Sequence, residues 1–149
     1  MITISIDTSK FDRAMADFPA ALARAQRVAL VKIGNIVENR ARGAIKDPSL
    51  RPSPWAPRKK DYKHPPLLKS TSMWRGINYK VTGPDTVVVG TPYKYAGYHQ
   101  RGTKNMPARP FFPVDGRGRL MPDVKDAIVR KVQNAYSAEL QKAFGNGGG

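Results

Sequence analysis

The chain has no cysteine. That absence excludes a disulfide framework, a thiolate metal site and a cysteine nucleophile together, and it permits assembly in a reducing cytosol. Histidine is almost as scarce, with only His64 and His99, and the acidic residues number 11 against 26 Lys and Arg. Long apolar runs are missing as well. No stretch approaches the roughly 18 uncharged apolar residues of a membrane-spanning helix, and the start, MITISIDTSKF, lacks the basic-then-apolar pattern of a targeting signal. The sequence therefore points to a chain with no membrane partner and no targeting signal.

What is present suffices for one core. A length of 149 residues with 40% hydrophobic content falls in the range of a single globular domain, here read as residues 1–144, with 145–149 as a disordered glycine-rich tail. The formal net charge of +15 favours polyanionic or acidic partners. Eleven basic residues fall between Arg40 and Lys80, against only Asp47 and Asp61. A solvated face or a docking surface for an acidic protein is the plainer reading of that run, and direct nucleic-acid contact is its competitor.

Periodicity gives an α+β order. Ile2, Ile4 and Ile6 alternate with Thr3, Ser5 and Asp7, the pattern of a half-buried strand. A long helix follows, with Ser9 as cap, Asp12 in its first turn and an apolar stripe of Phe11, Met15, Phe18, Leu22, Ala25, Ala29, Ile33 and Ile36. Pro19 is expected to kink that helix or restart it, and Pro48 to end it near 44–47. Residues 48–66 form an exposed, extended basic loop rich in proline, within which Trp55 either pins the loop to the core or awaits a partner. Residues 73–81 and 86–90 then read as a β-hairpin closed by Gly83-Pro84-Asp85, and the run Val87-Val88-Val89 suggests a strand covered on both faces. From Pro122 the apolar positions Val124, Ile128, Val132, Tyr136, Leu140 and Phe144 step by four, an amphipathic helix expected to pack on the sheet and to stop at Gly145.

Catalytic chemistry is hard to build from these residues. His64 stands among prolines, and His99 has no Ser, Asp or Glu beside it for a relay. Asp123 and Asp126 share a first helical turn, where helix-dipole pairing explains them better than metal ligation, and Gly116-Arg117-Gly118 reads as a turn rather than a phosphate loop. No catalytic residue, cofactor site or metal ligand is assigned, and the chain is not read as an enzyme. Pro107-Ala108-Arg109-Pro110-Phe111-Phe112-Pro113 calls for another explanation. Its prolines stiffen an extended backbone, Arg109 carries a planar fork of donors, and Phe111 and Phe112 offer large apolar area, one ring expected inward and one at a subunit contact.

At this point the residues resemble a family, the virion morphogenesis or tail-completion proteins of tailed phages, including Mu-like phages. The resemblance is carried by Trp55, then Pro66-Leu67-Leu68 with Ser70-Thr71, Gly76-Ile77 and Val87-Val88-Val89-Gly90-Thr91. It continues through Tyr95-Ala96, His99-Gln100, Gly102 and Pro107-Ala108-Arg109-Pro110-Phe111, about the middle half of the chain. It implies a structural protein of the head-tail junction, or neck. The fold would be a twisted antiparallel sheet packed by helices, assembled as a homo-oligomeric ring of six subunits that completes the tail or joins it to the capsid. The implied partners are other neck, tail-terminator, tail-tube or capsid-connector proteins, with genome DNA passing through the ring. The implied location is the virion, after assembly in the host cytoplasm.

The residues assigned to subunit or partner contact are Trp55, Arg58, Lys59, Lys60, Tyr95, His99, Gln100, Arg101, Arg109, Phe111 and Phe112. Two other classes stand beside this one. A nucleic-acid-binding module would use the basic 51–63 segment, where Trp55 and Tyr62 interleave with Arg58, Lys59, Lys60 and Lys63. A small nuclease would need isolated carboxylates and His99. Most of the charge is read as docking surface, because a channel so positive would grip the genome, and the 48–66 loop is expected to become ordered on assembly.

Overall fold

The computed structural model describes residues 3–5, 7 and 9–145, apart from the side chains at 10 and 11. Its elements are α1 (Ser9–Lys46), α2 (Ser72–Arg75), β1 (Asn78–Val81), β2 (Val87–Gly90), α3 (Lys94–Arg101) and α4 (Pro122–Gly145), with a 3₁₀ turn at Pro48–Leu50. β1 and β2 pair antiparallel, Asn78 opposite Gly90 and Val81 opposite Val87. The mixture of helices with an antiparallel sheet matches the α+β expectation.

Helix α1 is the spine. Its 38 residues reach roughly 57 Å at the usual rise, and Pro19 lies inside it rather than opening a second helix. Asp7 accepts a hydrogen bond from the Ser9 N–H at 2.9 Å, satisfying one of the donors left free at a helix start. The described part of the expected first strand, residues 3–5, joins no strand among the described residues, and Ile4 is 81% exposed. A strand needs a neighbour to take its backbone hydrogen bonds, and the sheet consists of β1 and β2 alone among the described residues. Ile2 and Ile6, the ring of Phe11 and the tail from 146 onward lie outside the described residues.

Most of the length of α1 runs beside α4. Arg40 meets Asp123 at 2.7 Å, Arg24 meets Glu139 at 3.4 Å, and the rings of Phe18 and Phe144 lie 6.2 Å apart. One number falls as the other rises, so the two helices run antiparallel. Ala14, Ala21, Ala25 and Ala29 are buried along this stretch and Phe18, Leu22, Ile33 and Ile36 are half-buried, so the expected stripe holds except at Met15, which is exposed. Small side chains let helix backbones approach closely. The C-terminal helix thus packs along α1 and not on the sheet, because strands of four residues leave little room for a second helix once α1 is in place. Its final residue is Gly145, so the helix includes the first residue assigned to the tail.

The last third of α1 carries the hairpin. Glu38 accepts the Tyr79 N–H at 3.1 Å and pairs with Arg42 at 2.9 Å, while Arg42 also donates to the carbonyl of Ile77. These side chains join helix to strand where backbone bonding cannot. Gly34 is buried beneath Tyr79, and any Cβ there would collide with that ring. Val88 is 53% exposed whereas Val87 and Val89 are half-buried, so the sheet is covered on one face only, contrary to the reading of three valines as doubly buried. Around the end of α1 lies the main core: Ala41, Ala44, Ile45, Met73, Ile77, Ala96 and Phe111.

Two outcomes follow from this packing. Gly34→Ala should cost about 1–3 kcal/mol through overpacking, read as a lower urea midpoint, and should cost less in a Tyr79→Ala background; equal costs in both would remove the close approach from the account. Glu139 is buried, and the hydrogen bond from Lys142, joined by Arg24, holds its carboxyl below the ordinary value. Such a group stabilises the fold fully above the ordinary glutamate range and loses that effect as pH falls through the lowered value. The Glu139→Gln variant should accordingly show a flatter dependence of melting temperature on acid pH than the parent.

Candidate functional site

Helix α3 and the proline-rich strand after it form the centre of the site. Gly102 ends α3 at φ +75°, a conformation side chains disfavour, and a Cβ there would sit 2.8 Å from the Ala108 nitrogen. The chain reverses through a tight bridge between Thr103 and Met106 and returns alongside the helix. Its prolines leave few backbone donors, and three of them, at Arg109, Phe111 and Phe112, are matched by α3. The Arg109 N–H donates to the His99 carbonyl at 2.6 Å, and the side-chain oxygen of Gln100 accepts both the Phe111 and the Phe112 N–H, at 2.9 and 3.0 Å. Phe111 is fully buried; Phe112 is half-buried against the core, 4.9 Å from it between ring centres.

The loop after α1 is fastened to the same segment. Arg51 donates to the Ala44 carbonyl at 2.9 Å, capping α1, and its guanidinium lies 3.6 Å above the Trp55 ring. Trp55 Nε1 donates to the Pro110 carbonyl at 2.8 Å, and Arg109 Nη2 donates to the Ala56 carbonyl at 3.3 Å. Further on, Arg58 donates to the His64 carbonyl at 2.6 Å and lies over Tyr62. The loop is irregular as expected, but it is tethered within the single chain, and Trp55 is the pin.

Of the assigned contact residues, Trp55, Arg58, Tyr95, His99, Gln100, Arg109, Phe111 and Phe112 gather around α3 and the 107–113 segment. Tyr95 is exposed and meets His99 edge-on at 6.3 Å. Lys59 and Lys60 are exposed on the loop. Arg101 faces the other side of α3, where it lines an apolar cleft of about 660 Å³ with Ile33, Val89, Phe112 and Leu120. Phe111 is corrected outright, since a ring with no accessible surface touches no partner. Gln100 serves first as an internal latch. Desolvation, then the nearby Arg109 charge, pushes the His99 imidazole below its ordinary value, so it is neutral at pH 7.

Helix α3 itself was not foreseen. Ala96, His99 and Gln100 follow the three- and four-residue spacing of one buried helical face, a signal obscured by the glycine and three tyrosines around it. The gripping role of Glu38 and Arg42 left no comparable trace, because charged residues on a long helix ordinarily face solvent.

No three His, Cys, Asp or Glu side chains cluster to hold a metal among the described residues, and none of the described helices is long and apolar enough to cross a membrane. No family model, curated protein or solved structure matches this chain.

Gln100→Ala strands two backbone donors in a mostly buried setting, at about 1–3 kcal/mol each. The expected result is a marked drop in melting temperature with faster exchange of the Phe111 and Phe112 amides. Trp55→Phe keeps the ring and loses the donor; it should cost about 1 kcal/mol and speed trypsin cleavage at Lys59 and Lys60. Unchanged cleavage would mean that the indole does not hold the loop.

Proposed function

We propose that this chain is a non-enzymatic structural protein of the tailed-phage head-tail junction, acting as one subunit of a ring, of six copies by resemblance, that completes the tail or joins it to the capsid. The observation that carries this reading is the hairpin. The outer edge of β1 is taken up in part by α1, whose Glu38 accepts the Tyr79 N–H, whereas the outer edge of β2 pairs with no strand among the described residues and lies beside the exposed Val88 and the apolar cleft. Open strand edges next to apolar surface suit pairing with another chain. In a ring the β2 edge of one subunit meets a different patch on the next, so every contact is head-to-tail.

A second support is where the residues of the resemblance lie. Trp55, Leu67, Leu68, Ile77, Ala96 and Phe111 pack together, and Gln100 and Gly102 set the path of the 107–113 segment. A motif set of this kind is built around one fold. The nucleic-acid alternative draws less support, because Arg51, Trp55 and Arg58 are engaged within the chain and leave Lys59, Lys60 and Lys63 as the exposed cations of the 51–63 segment.

The test uses particles. A labelled copy of the chain should localise to the junction between capsid and tail, and a Val88→Glu variant of unchanged melting temperature should leave heads and tails unjoined. Label elsewhere in the particle, or normal joining by the variant, overturns the reading.

A further inference from the structure

The outer edge of β2 and the cleft beside it match a sequence pattern that no described strand takes up. Thr82 donates to the Thr86 carbonyl at 3.0 Å, which makes Thr82 with Thr86, Lys80 with Val88 and Asn78 with Gly90 the bonded pairs of the hairpin. The N–H and C=O groups of Val87 and Val89 therefore point away from β1, just as the N–H of Tyr79 points away from β2 toward Glu38. Tyr79 is answered by α1, whereas Val87 and Val89 make no backbone hydrogen bond outside the hairpin among the described residues. Their side chains lie on the α1 face of the sheet, where with Ile33, Val37, Phe112 and Leu120 they line the apolar cleft of about 660 Å³.

A strand added at this edge would take the free backbone groups of the two valines and set every second side chain on their face of the sheet, over the cleft. The geometry accepts a short extended segment, apolar at alternate positions and polar between them. The start of the chain is written that way: Ile2, Ile4 and Ile6 alternate with Thr3, Ser5 and Asp7, and the described Ile4 is exposed. The segment carries Asp7 and no Lys or Arg before Lys10, so it approaches Arg101 at the cleft without the repulsion that most of this basic chain would meet. Its own copy cannot supply it. Ile33, at the cleft, lies about 36 Å along α1 from Ser9 at the usual rise, whereas residues 2–8 span at most about 25 Å when fully extended. With residues 2–6 laid along β2, only residues 7 and 8 are left to bridge that gap.

We infer that residues 2–6 of a second copy add to β2 as a third strand, with their isoleucines on the cleft side, so that each subunit gives its first segment to a neighbour and receives one in turn. The strand ends at Ile6, so Asp7 keeps the hydrogen bond it accepts from Ser9. Donor segment and acceptor edge are unlike patches, the relation a head-to-tail ring needs. A third strand also relieves the hairpin of its smallness, since two strands alone are marginal in water. This exchange names what the β2 edge meets in the proposed ring and rests on that reading for the closing of the contacts. It fails separately, because association of the purified chain is measured without particles, and a label found away from the head-tail junction would leave the exchange standing.

The experiment uses the full chain, two variants of it and a peptide of residues 1–8. Ile4→Lys, at an exposed position, spoils the donor, and Val89→Lys spoils the acceptor. Sedimentation of the parent should show concentration-dependent association that weakens at least about tenfold in either variant alone. An equimolar mixture of the two should give a 1:1 pair, since it keeps one intact donor and one intact acceptor. The peptide, MITISIDT, added to Ile4→Lys should slow amide exchange at Val87 and Val89, and a peptide of the same composition with its isoleucines adjacent should not. That arm keeps the test sound if Val89→Lys perturbs the hairpin. The inference is overturned if the parent stays monomeric, if Ile4→Lys associates as strongly as the parent, which would move the contact to another surface such as β2 against β2, or if the peptide leaves both valine amides unprotected.

Discussion

The burial of Phe111 is the contact on which the rest depends. Its ring closes the core formed by the end of α1, Met73, Ile77 and Ala96, and a buried ring draws its own backbone inward with it. A segment with prolines at 107, 110 and 113 has few amides to pair in a sheet or helix, so the amides of Phe111 and Phe112 need an acceptor from outside the backbone. One side-chain oxygen, that of Gln100, serves both. Gln100 therefore has to be on a helix whose axis lies beside the segment, and Gly102 has to reverse the chain immediately after it. The tethering of Trp55 to Pro110 follows from the same placement, since the carbonyl it uses precedes Phe111 by one residue.

Helix α1 solves a second constraint. The hairpin is too small to be stable by itself, and α4 is amphipathic with nothing in the sheet to cover it. One long helix serves both by changing its face along its length, from buried alanines beside α4 to the Glu38–Arg42 grip and Gly34 beneath β1. A side chain larger than alanine along the first part would hold α4 away from the ion pairs at Arg24 and Arg40. The two halves meet again at the start of α4, where the Met121 N–H donates to the Pro113 carbonyl at 2.9 Å and Val114 bridges Leu120.

Periodicity and proline placement made α1, the hairpin from Asn78 and α4 legible, including the end of α1 at Lys46 and the start of α4 at Pro122, whereas residues 73–75, read as strand, are helical in α2. What stayed hidden depended on partners distant in sequence. The alternation of Ile2, Ile4 and Ile6 is a pattern without a neighbouring strand, and the three valines say nothing about how many faces a neighbour covers. Along α1 the stripe is legible except at Met15, which turns outward while the neighbouring Ala14 is buried, and alanine carries a weak hydrophobic signal. In the site, the residue types were visible before their roles: Gln100, Arg109 and Trp55 stood out as contact residues, and each makes its contact first within its own chain. Arg58 and His99 were read singly, and only folding brings them to one cavity.

That convergence bears on the meaning of the net positive charge. If the excess were only a diffuse surface field, the cations would be mutually distant and fully hydrated, since repulsion and hydration both favour dispersal. Lys32, Lys59, Lys60 and Lys125 fit that description. Arg58 and Arg109 do not, because folding turns each guanidinium onto a carbonyl of its own chain, that of His64 and that of Ala56. The charge then has two parts with different physics. The dispersed lysines set the long-range attraction and its salt dependence, and the tethered arginines set the path of the loop they hold.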